Sequence, residues 1–537
     1  MKLPFETSRE RGIALGLIIV WALLFLPNLR TSPNWYGDEG EWMEKCWQFI
    51  HGTTHIGPIV NDFIYPYPYP PLYMAVNGAL LRIFGDDVVV GRALGTGLAL
   101  AAAGILFWIG CRLRNKTFGF LCAASFLVYS EAVINFRWVR SHPMAGVLAL
   151  ATVGFLVRYV QEKRLRDAVW AGIFCALATA TNYFTYPLIG AVIVTVAIVN
   201  WRHAIVAGAV AMAYAGLFVL GYVVLRGWTP LMAHVHLLTS VAGSEMRPTL
   251  AGEIGRFAGN VWEIGFNTPA KVGLEGIESW DWWLRIAWVG FLFLPVKDWR
   301  LRIWVPVWLL VLMYGVFSKL NNVPLFFYPA TIFLPVLAIG FAGTLTWLGE
   351  GAKRLGAPAI VPGAAVCAVF GVMTLQGAWT HFDTKIDHWT QRSSGDAEAA
   401  MRFVNERTTA NDLVIVPKQI YWLVKNAKRS MLTYCARYIG VDNDMPVPTH
   451  LPPELFWFDC RLEKAKYVVM EYGVQEVVLS DGRRGQLPVG IDAVYTVPVL
   501  RGVKEIVQQM QKEKWPVVFQ QGACLVLANP RFTEGTK

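Results

Sequence analysis

"GIALGLIIVWALLFLPNL", residues 12–29, and shortly after it "NWYGDEGEW", residues 34–42, decide how this chain is read. The first stretch is long enough to cross a bilayer, which takes about 17–25 predominantly apolar residues. The second sets Asp38, Glu39 and Glu41 among Trp35, Tyr36 and Trp42, where the chain has just left the membrane. Lys2, Arg9 and Arg11 precede the apolar run, and no small-residue cleavage site follows it. It therefore reads as a retained first helix with its N-terminus inside, not as a removed signal peptide.

The rest of the chain agrees. Of its 537 residues 55% are hydrophobic and 16% charged, with mean hydropathy +0.40; soluble domains carry about 25% charged residues. The net charge of +10 raises the question of nucleic acid, but no nucleic-acid motif is present, and membrane proteins gather cations in cytoplasmic loops. Apolar runs recur near 12–29, 87–111, 117–136, 142–160, 168–183, 184–200, 203–225, 283–296, 302–318, 324–348 and 358–379, which predicts about 11 transmembrane helices. With Met1 inside, the inside loops hold "CRLRNK" (111–116), "EKRLR" (162–166), "WRH" (201–203), "KDWRLR" (297–302) and "AKR" (352–354), all basic. The segment 70–85 is too short to cross and reads as an interfacial helix on the outer face.

Residues 1–380 thus form a mainly α polytopic membrane domain with outer loops at 30–86 and 226–282. After about residue 380 the pattern changes. "DAEAAMRFVNER" reads as an amphipathic helix, Thr409-Ala410-Asn411-Asp412 as a turn, and "KAKYVVM", "QEVVLS" and "WPVVFQQGACLVLANP" as short strands. Residues 381–537 are expected to be an extracytoplasmic α/β domain. Cys46, Cys435, Cys460 and Cys524 fall outside the membrane helices, and spacing does not settle whether any of them pair.

The acids after the first helix are flanked by aromatics, so they are expected to be half-buried, where a carboxylate can be tuned as a base. "GEWMEKCWQFIHG" then has helical apolar spacing suited to the membrane surface, and "YPYPYPPLY" (65–73) enforces an extended path. An Asp-Glu pair after the first helix, a surface helix and then "PPLY" resembles the GT-C superfamily of membrane glycosyltransferases. Within it, the chain is similar to bacterial relatives of protein O-mannosyltransferases and of the lipid A aminoarabinose transferase. "RWVRSHPMAG" (137–146) resembles that family's Arg-rich segment, and "SKLNNVPLFFYPATIFLPVLAIG" (318–340) its late Tyr-Pro motif. The likeness spans most of 12–380.

The resemblance implies a glycosyltransferase that takes a sugar from a polyprenyl-phosphate donor and passes it, with inversion, to a protein, lipid or glycan acceptor at the outer membrane face. Asp38 matches the base position; Glu39 would orient or bind the acceptor or help hold a metal. Candidate ligands of substrate and phosphate are Arg92, Arg137, Arg140, His142, Lys319, Tyr328 and Tyr69. For Arg92 the alternative is snorkelling to the interface. Asp38 with His55 is a candidate pair for a divalent metal, with His51 and Asp62 in the same loop. His142 stands where relatives commonly carry an acid. "TNYFTYP" (181–187) lacks the basic residue common there, and the tail lacks the Trp-Trp-Asp-Tyr-Gly signature of oligosaccharyltransferases. Transfer of a single hexosyl or pentosyl group is therefore expected rather than of a whole oligosaccharide. The outer-loop aromatics read as an interfacial belt or as sugar-stacking surfaces. The expected location is a bacterial inner membrane, with the site and C-terminal domain facing the periplasm or exterior. The rival readings are a flippase or transporter of polyprenyl-linked lipid, and a non-catalytic membrane scaffold.

Overall fold

The computed structural model describes residues 7–31, 37–51, 70–226, 228, 250–266, 278–296, 298–318, 328–358, 360–382, 394–432, 435, 458–471, 473–478, 484–489, 501–522 and 524–533. Among the described residues each apolar run of the sequence overlaps helix. In chain order these are α1 (Ser8–Phe25), α2 (Gly37–His51), α3 (Leu72–Phe84), α4 (Val88–Leu113), α5 (Lys116–Leu127), α6 (Ser130–Asn135) and α7 (Ser141–Glu162). There follow α8 (Leu165–Thr179), α9 (Pro187–Val199), α10 (Trp201–Arg226), α11 (Leu250–Phe266), α12 (Glu278–Leu292), α13 (Trp299–Phe317), α14 (Leu334–Arg354) and α15 (Ile360–Phe382).

Local chemistry sets the ends of these helices. Thr7 and Glu10 close a capping box on α1. The carboxylate of Asp87 accepts the Val89 N–H at the start of α4, and the amide oxygen of Asn115 accepts the Phe118 N–H at the start of α5. α7 stops at Lys163, which takes the left-handed conformation, φ 53°. Among the described residues four helices are both long and apolar enough to cross a bilayer: α4, α7, Trp201–Gly221 of α10, and α13. The chain is an integral membrane protein.

Two features depart from the hydropathy reading, and a third agrees with it. The expected third crossing is broken into α5 and α6, with the break at Val128 and Tyr129. The expected loop 226–282 contains a further helix, α11. The segment read as interfacial is α3, whose 13 residues span about 20 Å at 1.5 Å each, well short of a ~30 Å hydrocarbon core.

Small residues let the helices approach closely. A Cβ on Gly290 of α12 would collide with the carbonyl oxygen of Gly340 in α14, so these two backbones touch. At one end of the bundle, ion pairs join the basic loops: Arg112 to Glu162 at 2.5 Å, Lys116 to Glu10 at 3.1 Å, and Arg114 to Glu350. Arg92 lies 20 residues before Arg112 on α4, about 30 Å away along the axis, so the acid pair and the basic loops occupy opposite ends.

From Ser394 onward the chain forms a helix, α16 (Ser394–Glu406), and a mixed sheet with strand order β2-β1-β3-β7-β6. Its strands are β1 (Leu413–Ile415), β2 (Lys428–Ser430), β3 (Ala465–Glu471), β6 (Val517–Gln521) and β7 (Cys524–Ala528); β4 (Gly473–Val478) and β5 (Arg484–Val489) pair separately. β1 lies parallel to β2 and β3, whereas β7 is antiparallel to β3 and β6. The β6–β7 turn uses Gly522 at φ 51°, a conformation glycine reaches without strain. One apolar core runs from this sheet into the membrane part, joining Met401, Ile420, Trp422 and Val424 to Trp42, Met43 and Cys46 of α2 and Tyr73 of α3. Hence α2 is not simply laid on a membrane surface. It is packed between α3 and the C-terminal module.

Candidate active site

Because α2 begins at Gly37, Asp38 and Glu39 fall in its first turn. Unsatisfied backbone N–H groups and the positive end of the helix dipole favour ionised carboxylates there. Glu39 is fully buried. Its Oε1 accepts from Arg92 Nε and from the Val139 N–H, both at 3.0 Å, and its Oε2 accepts from Arg92 Nη2 at 2.7 Å. Arg92 Nη1 donates to the Leu29 carbonyl at 2.9 Å. One guanidinium thus ties the exit of α1, the first turn of α2 and the body of α4. Arg92 does not snorkel, and this fork geometry is the one guanidinium–carboxylate pairs favour.

Two further arginines stand beside this pair. Arg137, 1% exposed, donates from Nη2 to the Pro27 carbonyl. Burial and then the Arg92 guanidinium pull Arg137 down to about 9. Arg140 is buried too, its guanidinium carbon 5.8 Å from the Trp138 ring centre. His142, at the start of α7, is buried with its ring 6.0 Å from that of Phe184. The adjacent Ser141 Oγ accepts from Asn182 Nδ2 at 3.0 Å, fixing the junction "TNYFTYP" against α7.

Sequence reasoning missed Tyr73, which lies in the quoted "PPLY". Its ring meets Trp42 edge-on at 5.6 Å. Burial raises its hydroxyl well above the ordinary range, Cys46 and Glu39 reinforce this, and Arg140 opposes it. Tyr73 therefore shares the electrostatic field of Glu39 and Arg140. Trp283 of "SWDWW" is neither belt nor sugar platform. It is buried, stacked on Tyr129 at 4.0 Å and on Phe341 at 5.4 Å.

Tyr69, Lys319, His51, His55 and Asp62 have no described side chains, nor do Asp38 and Tyr328. Among the described residues no group of three or more His, Cys, Asp or Glu is arranged to hold a metal ion. Among the described residues the arrangement is thus a buried cluster of three arginines in which Arg92 is paired with Glu39. Chemically it is suited to an anion such as a phosphate.

No model of a known protein family matches the sequence, and no curated protein matches it. Solved structures do. The crystal structure of ArnT from Cupriavidus metallidurans bound to undecaprenyl phosphate aligns over 98% of this chain and 98% of its own, at 12% identity and TM-score 0.60. In the apo state the same protein aligns over 97% and 98%, at 13% identity and TM-score 0.62. The apo oligosaccharyltransferase of Archaeoglobus fulgidus aligns over 99% of this chain and 81% of its own, at 11% identity and TM-score 0.52. At such identities the likeness is one of fold. The chain has the GT-C fold of membrane glycosyltransferases, as its motifs implied.

Proposed function

We propose that this protein is a glycosyltransferase that moves a single hexosyl or pentosyl group, with inversion, from a polyprenyl-phosphate donor to a protein, lipid or glycan acceptor at the outer membrane face. The observation that carries the reading is the buried concentration of guanidinium groups beside the first turn of α2, where the Asp-Glu pair lies.

In this reading Asp38 is the base. It takes the proton of the acceptor hydroxyl while that oxygen bonds to the anomeric carbon from the face opposite the phosphate. The bond from that carbon to the phosphate oxygen breaks, and polyprenyl phosphate leaves with the electron pair. Its charge falls to Arg137 and Arg140, with Lys319 and Tyr328 completing the lipid-phosphate end and Tyr69 and His142 the sugar end. Arg92 and Glu39 bond to one another, to the Leu29 carbonyl and to the Val139 N–H, so in this reading they hold the first turn of α2 in place. A phosphate leaving group needs cations more than a general acid, which fits the buried Arg137 and Arg140. The site and the C-terminal module would face the periplasm or exterior of a bacterial inner membrane.

The test is release of free polyprenyl phosphate by purified protein from a panel of polyprenyl-phosphate sugars, with cell-envelope extract as acceptor source. Wild type releases lipid phosphate from at least one donor, and Asp38→Asn does so about 100- to 10,000-fold more slowly, the span general bases supply. Equal release by both refutes Asp38 as the base. Binding and movement of the lipid across vesicle membranes without any release refutes the transferase reading in favour of a flippase.

A further inference from the structure

Glu44 lies six residues beyond Asp38 on α2, about 9 Å along the helix axis, and it is buried. Its Oε1 accepts from Gln48 at 2.7 Å. Its Oε2 accepts from Nη2 of Arg429, a residue of β2 in the C-terminal module that is itself 1% exposed. The same guanidinium donates from Nη1 to the Val424 carbonyl at 3.0 Å, and Asp86 Oδ2 stands 3.9 Å from it. The Tyr421 hydroxyl closes the loop by donating to the Arg429 carbonyl at 3.0 Å. The turn around Lys418–Leu423 therefore wraps Arg429 and offers one face of it to α2.

Around this joint lie weaker ones. Arg30 reaches Asp87 and Glu398 at 2.6 Å each, and Lys425 reaches Asp86 at 3.2 Å, all with side chains partly open to solvent. Pairs so exposed contribute little. A buried pair is different. Apolar residues of similar volume stabilise such a place as well or better, so its presence is better explained by a need for a fixed register than by adhesion. The two buried pairs of α2 answer that need together: Glu39 is held by Arg92 of α4, and Glu44 by Arg429 of the C-terminal module.

We infer that the C-terminal module is a positioning element of the active site, with Arg429 setting the placement of α2, and through it of Asp38, by its bond to Glu44. The kinetic part of this inference rests on the transferase reading above; the structural part does not.

The experiment compares full-length wild type, Arg429→Met, Arg429→Lys and the double variant Glu44→Met/Arg429→Met. Each is read by heat stability in detergent, by hydrogen exchange of α2 amides, and by kcat and KM for the polyprenyl-phosphate sugar. Arg429→Met leaves Glu44 buried without its cation, so stability falls and α2 amides exchange at least about 10-fold faster. The double variant regains the stability of wild type, yet its kcat stays about 100-fold down with KM within about 3-fold, because an ångström of misplacement at a base costs that much. Arg429→Lys keeps the charge and recovers part of kcat. If the double variant regains full kcat along with stability, the pair is only an adhesive and the inference fails. If wild type transfers no sugar, the transferase reading fails by itself. Exchange in α2 then decides the positioning role: unchanged protection in Arg429→Met overturns it.

Discussion

Arg92→Met keeps much of the side chain's bulk on α4 while withdrawing its charge. Glu39 then loses two charge-assisted hydrogen bonds, at 3.0 and 2.7 Å, and the Leu29 carbonyl loses one at 2.9 Å. Both residues are fully buried, so solvent cannot step in. Breaking such a pair from one side costs about 3–5 kcal/mol, because a charge is left in a poorly solvated place. Glu39→Met strands Arg92 and belongs in the same range. Removing both groups at once strands neither, so Glu39→Met/Arg92→Met is expected to lose less stability than either single variant. The assay is heat unfolding in detergent for the four proteins, with donor turnover measured on each. The expected order is wild type, then double variant, then the two single variants. Turnover in the double variant remains about 100-fold down, since the first turn of α2 has lost its tie. A single variant as stable as wild type, or a double variant less stable than both singles, would refute the reasoning.

Two other expectations concern packing and pH. A Cβ on Gly78 of α3 would collide with the Cys46 carbonyl oxygen and the Ile50 side chain of α2; Gly78→Ala should therefore cost about 1–3 kcal/mol in heat stability and speed exchange in α2. At Asp412 burial opposes the charge, but the Thr409 N–H, 2.7 Å away, and Lys466, 3.2 Å away, outweigh it and hold the carboxyl below its ordinary value. Its contribution is thus fully present above the unfolded value near pH ~4 and is lost as pH falls through the lower folded one. Asp412→Asn should cost about 1 kcal/mol at pH 7, with a deficit that shrinks toward pH ~2; a deficit independent of pH would contradict this.

Hydropathy made the helices legible because a bilayer imposes one length and one polarity on whatever crosses it. Where the rule relaxes, reading failed. α11 went unseen because Gly252, Gly255, Gly259 and Gly265 lower its helix propensity. The break between α5 and α6 carries neither proline nor glycine, so nothing in "LVYSEAV" announced it. The acid pair, Arg137, Arg140 and His142 were picked out from the family resemblance. Their pairings were not. Glu39 and Arg92 are each identifiable, but only folding brings 39 and 92 together, and it gives each a partner that a residue-by-residue reading would have spent on substrate. Arg429 in "KNAKRSM" and Glu44 in "EWMEKCW" look like solvated charges; their bond spans 385 residues and leaves no local trace.

That separation has a consequence for biogenesis. A ribosome adding about 5–20 residues per second needs roughly 20–80 s to go from Glu44 to Arg429. Throughout that interval α3 to α15 are made while the clamp on α2 is still missing. The nascent chain therefore acquires its helical bundle before Glu44 can meet Arg429, and on the positioning inference above a protein truncated ahead of β2 is expected to be inserted but idle.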